Sequence, residues 1–278
     1  MRRLILFVLV ATLIAPAAEG AIWSNGGVSP AVIYDSGIVN DDWALVSDNG
    51  IQLGLRAKVH GENTFNLSSD SAGNAYYSHE AGSSGGPGST AALWDFEFSA
   101  NVDFLPGAVS RNLANTRIDL FIDTDPSLGV HYVYILDVFN PTVVFNPDPL
   151  DYSVSDPSIF NLANFGDHKV GTNATGIGGG LVYDTGTGNT TLADYSVVQN
   201  VLNIGELING FSPNVPGDYH FLLNAYDTTN KVKLNSAWMR VEVGAVPEPS
   251  TFAIFLLLPM FGIALGWRNW RQAFIPAG

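Results

Sequence analysis

Leu93-Trp94-Asp95-Phe96-Glu97-Phe98-Ser99-Ala100-Asn101-Val102-Asp103-Phe104 alternates without a slip from Trp94 onward. Phe96, Phe98, Ala100, Val102 and Phe104 fall on one side, and Asp95, Glu97, Ser99, Asn101 and Asp103 on the other. Successive side chains of a β-strand point to opposite faces of the sheet, so a period of two sustained over this length predicts a strand over 93–104. One apolar and one polar face predict an antiparallel strand that packs on a core and turns its other face to water.

Outward from this strand the pattern repeats. Trp43-Ala44-Leu45-Val46 and residues 51–59 flank Ser47-Asp48-Asn49-Gly50, a hairpin signal because Asn-Gly tolerates positive φ. Further strands are predicted at 117–123, 132–139, 219–226 and 234–243, the last two joined by Asp227-Thr228-Thr229-Asn230. One helical pattern stands out: Val197, Val201, Ile204 and Ile208 recur at three- and four-residue spacing. Residues 156–162 add a single helical turn. The Gly-rich stretches 80–90 and 171–191 read as long loops, and Gly176-Ile177-Gly178-Gly179-Gly180 lacks the lysine of a phosphate loop. Seven or more short strands and little helix predict an all-β fold, an antiparallel β-sandwich of jelly-roll or immunoglobulin-like type, in one domain spanning 22–245.

The 278-residue chain carries a net charge of −14 and no cysteine. Absent thiols exclude disulfides, zinc ribbons, iron–sulfur clusters and a cysteine nucleophile. The acidic balance opposes binding to nucleic acid or anionic lipid surfaces.

Both ends read as addresses. Arg2-Arg3, an apolar run over 4–14 and the small residues 15–21 form the three parts of a secretory signal peptide over 1–21. The run is 11 residues, against roughly 20 for a spanning helix, and the expected route is the Sec translocon. At the other end Pro247-Glu248-Pro249-Ser250-Thr251 precedes the uncharged run 252–267, then Arg268 and Arg271. Sixteen uncharged residues can cross a bilayer at the short end of the range. Trp267 and Trp270 sit where an aromatic belt belongs, and the arginines mark the cytoplasmic side, leaving 272–278 as a cytoplasmic tail.

Val246-Pro247-Glu248-Pro249-Ser250-Thr251, the span and the arginine cluster together resemble the PEP-CTERM sorting signal of surface proteins from Gram-negative bacteria that make exopolysaccharide. The resemblance covers 246–271 and includes the leader that such a signal requires. It implies an exosortase, an integral-membrane cysteine transpeptidase, as processing partner. In that scheme Pro247, Glu248 and Pro249 are the recognition element, 252–267 is a transient transmembrane helix, and Arg268 with Arg271 supply the retention charge. It further implies an inner-membrane-anchored precursor delivered to the cell surface or extracellular matrix, with exopolysaccharide as a candidate partner. Two prolines around Glu248 also hold the strip extended, a form a membrane-facing protease can grip.

Without leader and sorting signal, residues 22–246 lose four of twelve Lys+Arg and two of 26 Asp+Glu, which leaves 8 and 24 and a charge of −16. Direct binding of acidic polysaccharide then calls for a bridging cation. Asp119, Asp123 and Asp125, at a strand end entering Asp-Thr-Asp-Pro, offer oxygen ligands for calcium, although the run lacks the Gly and distal Glu of an EF-hand and is also good turn chemistry. Asp35, Asp41, Asp42 and Asp48 around Trp43 invite the same two readings. No other cofactor is expected. Exposed aromatics can stack on sugars. Trp23, Trp43, Trp94, Trp238, Tyr152 and Tyr183 are available, most of the tryptophans being expected in the core. Tyr76-Tyr77, in a polar stretch read as loop, is the first candidate for glycan contact. His60, His79, His131, His168 and His220 show no HxH or HExxH spacing, and a Gly-x-Ser-x-Gly elbow is missing. Glu62, Glu80, Glu97, Glu206 and Glu242 leave a glycosidase as the third reading. The expectation is a non-enzymatic surface or biofilm-matrix protein with a structural or adhesive role; a calcium-assisted, lectin-like module is the alternative.

Overall fold

The computed structural model describes residues 23–244 other than 87, 106–108, 128, 131, 133, 140–164, 166–167 and 184–190. The expected signal peptide, the expected sorting signal with Pro247, Glu248, Pro249, Arg268 and Arg271, the expected span 252–267, Tyr152 and the expected turn at 156–162 lie outside these residues. Among the described residues no helix is long and apolar enough to cross a membrane.

Thirteen strands are described: β1 (Ser24–Gly26), β2 (Trp43–Asp48), β3 (Ile51–Val59), β4 (Leu67–Ser69), β5 (Ala75–Glu80), β6 (Trp94–Asn101), β7 (Thr116–Asp123), β8 (Tyr134–Asp137), β9 (His168–Gly171), β10 (Leu181–Tyr183), β11 (Val197–Asn203), β12 (Gly217–Asp227) and β13 (Lys233–Gly244). They form a seven-stranded sheet, β1-β2-β3-β6-β11-β9-β10, and a six-stranded sheet, β4-β5-β13-β12-β7-β8. The fold is all-β, and the sheets share one apolar core. Leu53, Leu55, Phe96 and Phe98 from one sheet meet Leu120, Phe221, Met239 and Val241 from the other. The rings of Phe96 and Phe221 approach to 4.6 Å between centroids. Stripping the phenyl group from either position costs about 3–5 kcal/mol, because it removes transfer energy and leaves a cavity between the sheets.

Both expected hairpins are present. Asp48 pairs with Ile51 across Asn49 (φ 50°) and Gly50 (φ 77°), the two left-handed positions that a two-residue connection needs. β12 and β13 are joined by 228–232, where Asp227 Oδ1 accepts from the Thr229 and Asn230 N–H groups.

Four expectations need correction. Every β6 residue is buried, so its polar face is not wet. The segment 27–42 between β1 and β2 lies over that face of the seven-stranded sheet and takes up its hydrogen bonds. The Ser29 N–H donates to Gln52 Oε1 (2.8 Å) and Asn101 Nδ2 donates to the Ser29 carbonyl (3.0 Å). Ile33 N–H donates to Gln199 Oε1, and Gln199 Nε2 to the Ala31 carbonyl, both at 2.8 Å. A second, smaller apolar cluster of Val28, Val32, Trp43 and Leu45 forms underneath. Gly54 makes room for it, since a Cβ there would stand 3.0 Å from both Val28 and Leu45 side chains.

The helix over 197–208 is instead β11 followed by the four-residue α1 (Ile204–Leu207). Val197 and Val201 share one face of the strand while Val198 and Leu202 enter the core, and seven residues of pairing with β6 outweigh a spacing that fits either period. The stretch 171–191 is not all loop, because it contains β10 paired to β9. Its glycines also approach the covering segment: Gly178 and Gly180 N–H groups donate to the Val32 and Ile33 carbonyls, and a Cβ on Gly180 would lie 2.8 Å from the latter. Finally, the sheets are not wholly antiparallel, since β5 and β13 run parallel. Strands so far apart in sequence are not bound by hairpin geometry, and periodicity carries no direction.

Candidate functional site

Alternation along β13 sends Asn235, Ala237, Met239, Val241 and Val243 inward and leaves Ser236, Trp238, Arg240 and Glu242 on the outer face of the six-stranded sheet. β5, β12 and β7 add their own outward residues, and the strand register fixes their rows. Tyr76, Arg240, His220 and Asp123 stand side by side across four strands. The next row holds Trp238, Leu222 and Phe121, and the one after it Ser236, Asn224, Asp119 and Asp137.

These side chains are held by one another. The Arg240 guanidinium carbon lies 4.9 Å from the Tyr76 ring centroid, a cation–π contact. Its terminal nitrogens lie 3.4 Å from Asp218 and 3.8 Å from Glu242. The His220 imidazole stacks on Trp238 at 5.5 Å and 24° between ring planes, and its Nδ1 is 3.5 Å from Asp123 Oδ2. Ser236 Oγ donates to Asn224 Oδ1 (2.7 Å), and Asn224 Nδ2 to the Tyr226 hydroxyl (3.0 Å). The face is graded: Tyr76, Trp238, Ser236 and Leu222 are partly exposed, whereas Asp119, Phe121 and Asp123 are buried.

The structure separates the two tyrosines paired in sequence. Residues 75–80 are strand rather than polar loop, so one ring must point out and the other in. Tyr76 joins the outer face. Tyr77 is fully buried; its hydroxyl accepts from the Ala44 N–H (3.1 Å), donates to the Asp42 carbonyl (2.8 Å), and is pushed up in pKa by burial. A glycan cannot reach it. Trp43 and Trp94 are core residues, as expected, and Tyr183 is buried elsewhere in the core, against the Phe139 ring. Trp238 is the tryptophan that the sheet turns outward, and Arg240 and His220 were not singled out by sequence; the period of two over 234–243 holds the signal for Trp238 and Arg240.

Asp119, Asp123 and Asp125 share one side of β7 or its end, but they do not converge. Asp119 and Asp123 are four residues apart on an extended strand, about 13 Å between Cα atoms, with Phe121 between them. Asp119 is paired to Arg117 at 2.6 Å, with Asp137 3.9 Å from the same guanidinium. Burial nonetheless pushes its carboxyl up to about 6 against the pull of Arg117. Asp123 Oδ1 accepts from the Asp125 N–H and Asp125 Oδ1 from the Ser127 N–H, each at 2.9 Å, which is turn chemistry. Asp35, Asp41 and Asp48 likewise accept from backbone N–H groups of their own turns. No group of three His, Cys, Asp or Glu suited to a metal ion occurs among the described residues.

Glu97, among the glycosidase candidates, is fully buried and ion-paired with Arg56 and Lys58. A cavity of about 210 Å³ at one end of the sandwich is lined by Thr124, Pro126, Ile208, Phe211, Val215 and Tyr219 among others, with no carboxylate in its wall. Comparison of the chain with protein-family models, with curated proteins and with solved structures finds no match.

Proposed function

We propose that the chain is an exported, exosortase-processed protein of the cell surface or biofilm matrix, with a structural and adhesive role and no catalysis. The observation that carries this reading is the ordered set Pro247-Glu248-Pro249, uncharged span 252–267, Arg268 and Arg271, paired with a three-part leader at the other terminus. In this reading 252–267 crosses the inner membrane until the exosortase removes it, and the jelly-roll or immunoglobulin-like sandwich is the displayed part. Adhesion draws support from the outer face of the six-stranded sheet, where flat apolar rings alternate with hydrogen-bonding groups, the surface chemistry of a sugar-binding module.

Mass spectrometry of surface-extracted protein tests the sorting. The expected product lacks everything C-terminal to the Pro-Glu-Pro segment, and replacing Pro247 and Pro249 by Ala leaves the precursor in the inner membrane. An intact C-terminus on surface protein from cells that possess the processing enzyme overturns the reading.

A further inference from the structure

The open part of the outer face combines features that belong to a ligand of one chemistry. Tyr76 and Trp238 sit on adjacent parallel strands, two residues apart in register, a diagonal relation across the sheet. One side of each ring is taken: Arg240 lies over Tyr76 and His220 over Trp238, while Asp123 anchors His220 from the next strand. Both rings are therefore fixed before any ligand arrives, and little side-chain entropy remains to be lost on binding. Ser236, partly exposed and held by the buried Asn224, places a hydroxyl in the row beyond Trp238. Flat apolar surface beside neutral donors and acceptors suits a pyranose ring, with its C–H faces and hydroxyl rim.

Charge decides which glycan. Arg240 is already matched by Asp218 and Glu242, and Arg117 by Asp119 and Asp137, so the face carries more carboxylates than cations. At −16 over residues 22–246, the chain repels polyanions and a second copy of itself alike. We propose that Tyr76, Trp238, Arg240 and His220 form a binding site for a neutral polysaccharide chain, with Trp238 and Tyr76 as stacking platforms and Arg240 and His220 as the groups that position them. The proposal rests on the adhesive reading above and supplies its ligand class.

Affinity electrophoresis of the full chain tests it, in gels cast with soluble β-glucan, galactomannan or dextran as neutral probes and alginate as the acidic one. The expected result is retardation by at least one neutral probe, unchanged by EDTA or added salt, and none by alginate. Trp238→Ala and Tyr76→Ala each weaken the retardation roughly tenfold or more, the order of one lost stacking contact. Leu181→Ser, on the other sheet, leaves it unchanged. If Trp238→Ala disturbs the near-ultraviolet circular dichroism, Trp238→Leu keeps the apolar bulk and removes the flat face. The proposal is overturned by no retardation with any neutral probe, by retardation with alginate alone, by wild-type behaviour of both aromatic variants, or by self-association in sedimentation in place of glycan binding. C-terminal processing is read separately by mass, so correct trimming with no retardation rejects the ligand and leaves the sorting standing.

Discussion

The two sheets of this protein both present polar outer faces, and they use them in opposite ways. On the seven-stranded sheet Gln52, Arg56, Asn101 and Gln199 are all buried, because 27–42 lies over them and supplies backbone partners. Arg56 is the extreme case. Its guanidinium is held between the Trp43 and Phe65 rings, 4.2 Å from each, pairs with Glu97, donates to the Val39 and Asp41 carbonyls (2.8 and 2.6 Å), and reaches the Tyr34 hydroxyl at 3.2 Å. On the six-stranded sheet similar residue types, Arg240, His220, Asn224 and Tyr76, find their partners within the face itself, and Tyr76 and Arg240 stay partly exposed at β5 and β13. One face is consumed by the protein's own backbone and serves stability. The other leaves surface chemistry unspent.

Breaking the covered face has the largest effect. Arg56→Met strands Glu97 in the interior with Lys58, 3.3 Å away, as its remaining cation, and is expected to cost about 3–5 kcal/mol in denaturant unfolding. Adding Glu97→Leu and Lys58→Met recovers much of that loss, since a buried ionic cluster replaced whole by apolar groups is often near neutral; a triple variant as unstable as the single one contradicts this account of the hub. Acid acts next. Burial holds His79 and His168 down to about 4, so the unfolded chain binds their protons first, and stability falls as pH drops from about 6.5 toward 4, by about 3 kcal/mol per imidazole at most. Asp119 opposes: its raised pKa of about 6 adds stability as pH falls from 6 to 3.8, and the net loss on acidification is expected to be about 3–4 kcal/mol. His79→Phe keeps the stack on Trp94 (6.3 Å, 9°) and flattens the decline, as urea midpoints across pH will read. A pH-independent midpoint over this window rules the linkage out.

Smaller still is Gln199→Leu, which removes two hydrogen bonds from 27–42 and leaves buried backbone groups unpaired, for about 1–3 kcal/mol and faster proteolysis within that segment. The smallest change in stability is expected from Trp238→Ala, about 1 kcal/mol from a partly exposed ring that loses its stack on His220. That variant sharpens the contrast, because the residue that matters least to unfolding is the one on which binding depends. Equal losses for Trp238→Ala and Arg56→Met would erase the distinction between the faces.

What could be read from the sequence was local. Asn49-Gly50 announced its turn because the left-handed φ values are a property of those two residues. The alternation of β6 tells apart two chemically different faces, yet it cannot tell which is wet, since Ser29, the partner of Asn101, lies 72 residues away. Ala75-Tyr76-Tyr77-Ser78-His79-Glu80 is too polar to read as a strand, so a loop reading keeps Tyr76 and Tyr77 together where the strand drives them apart. Trp238 was visible as an aromatic, but its outward aim and its coupling to His220 depend on β12 pairing beside β13. For the acidic trio, proximity in sequence fits both turn and ligand chemistry; the turn bonds of Asp123 and Asp125 are present, and the extended backbone spreads Asp119 from Asp123.

The contact between Ile33 and Gln199 also sets an order of events. Residues 27–42 are among the first described residues to be synthesised, but they cannot settle until β11 has been made. Until then the outer face of β3 and β6 offers Gln52, Arg56, Glu97 and Asn101 to water instead of a greasy surface, so only the inner face of the half-built sheet awaits apolar cover. The polar face that is buried at the end is one that the unfinished chain can leave open to water on the way there.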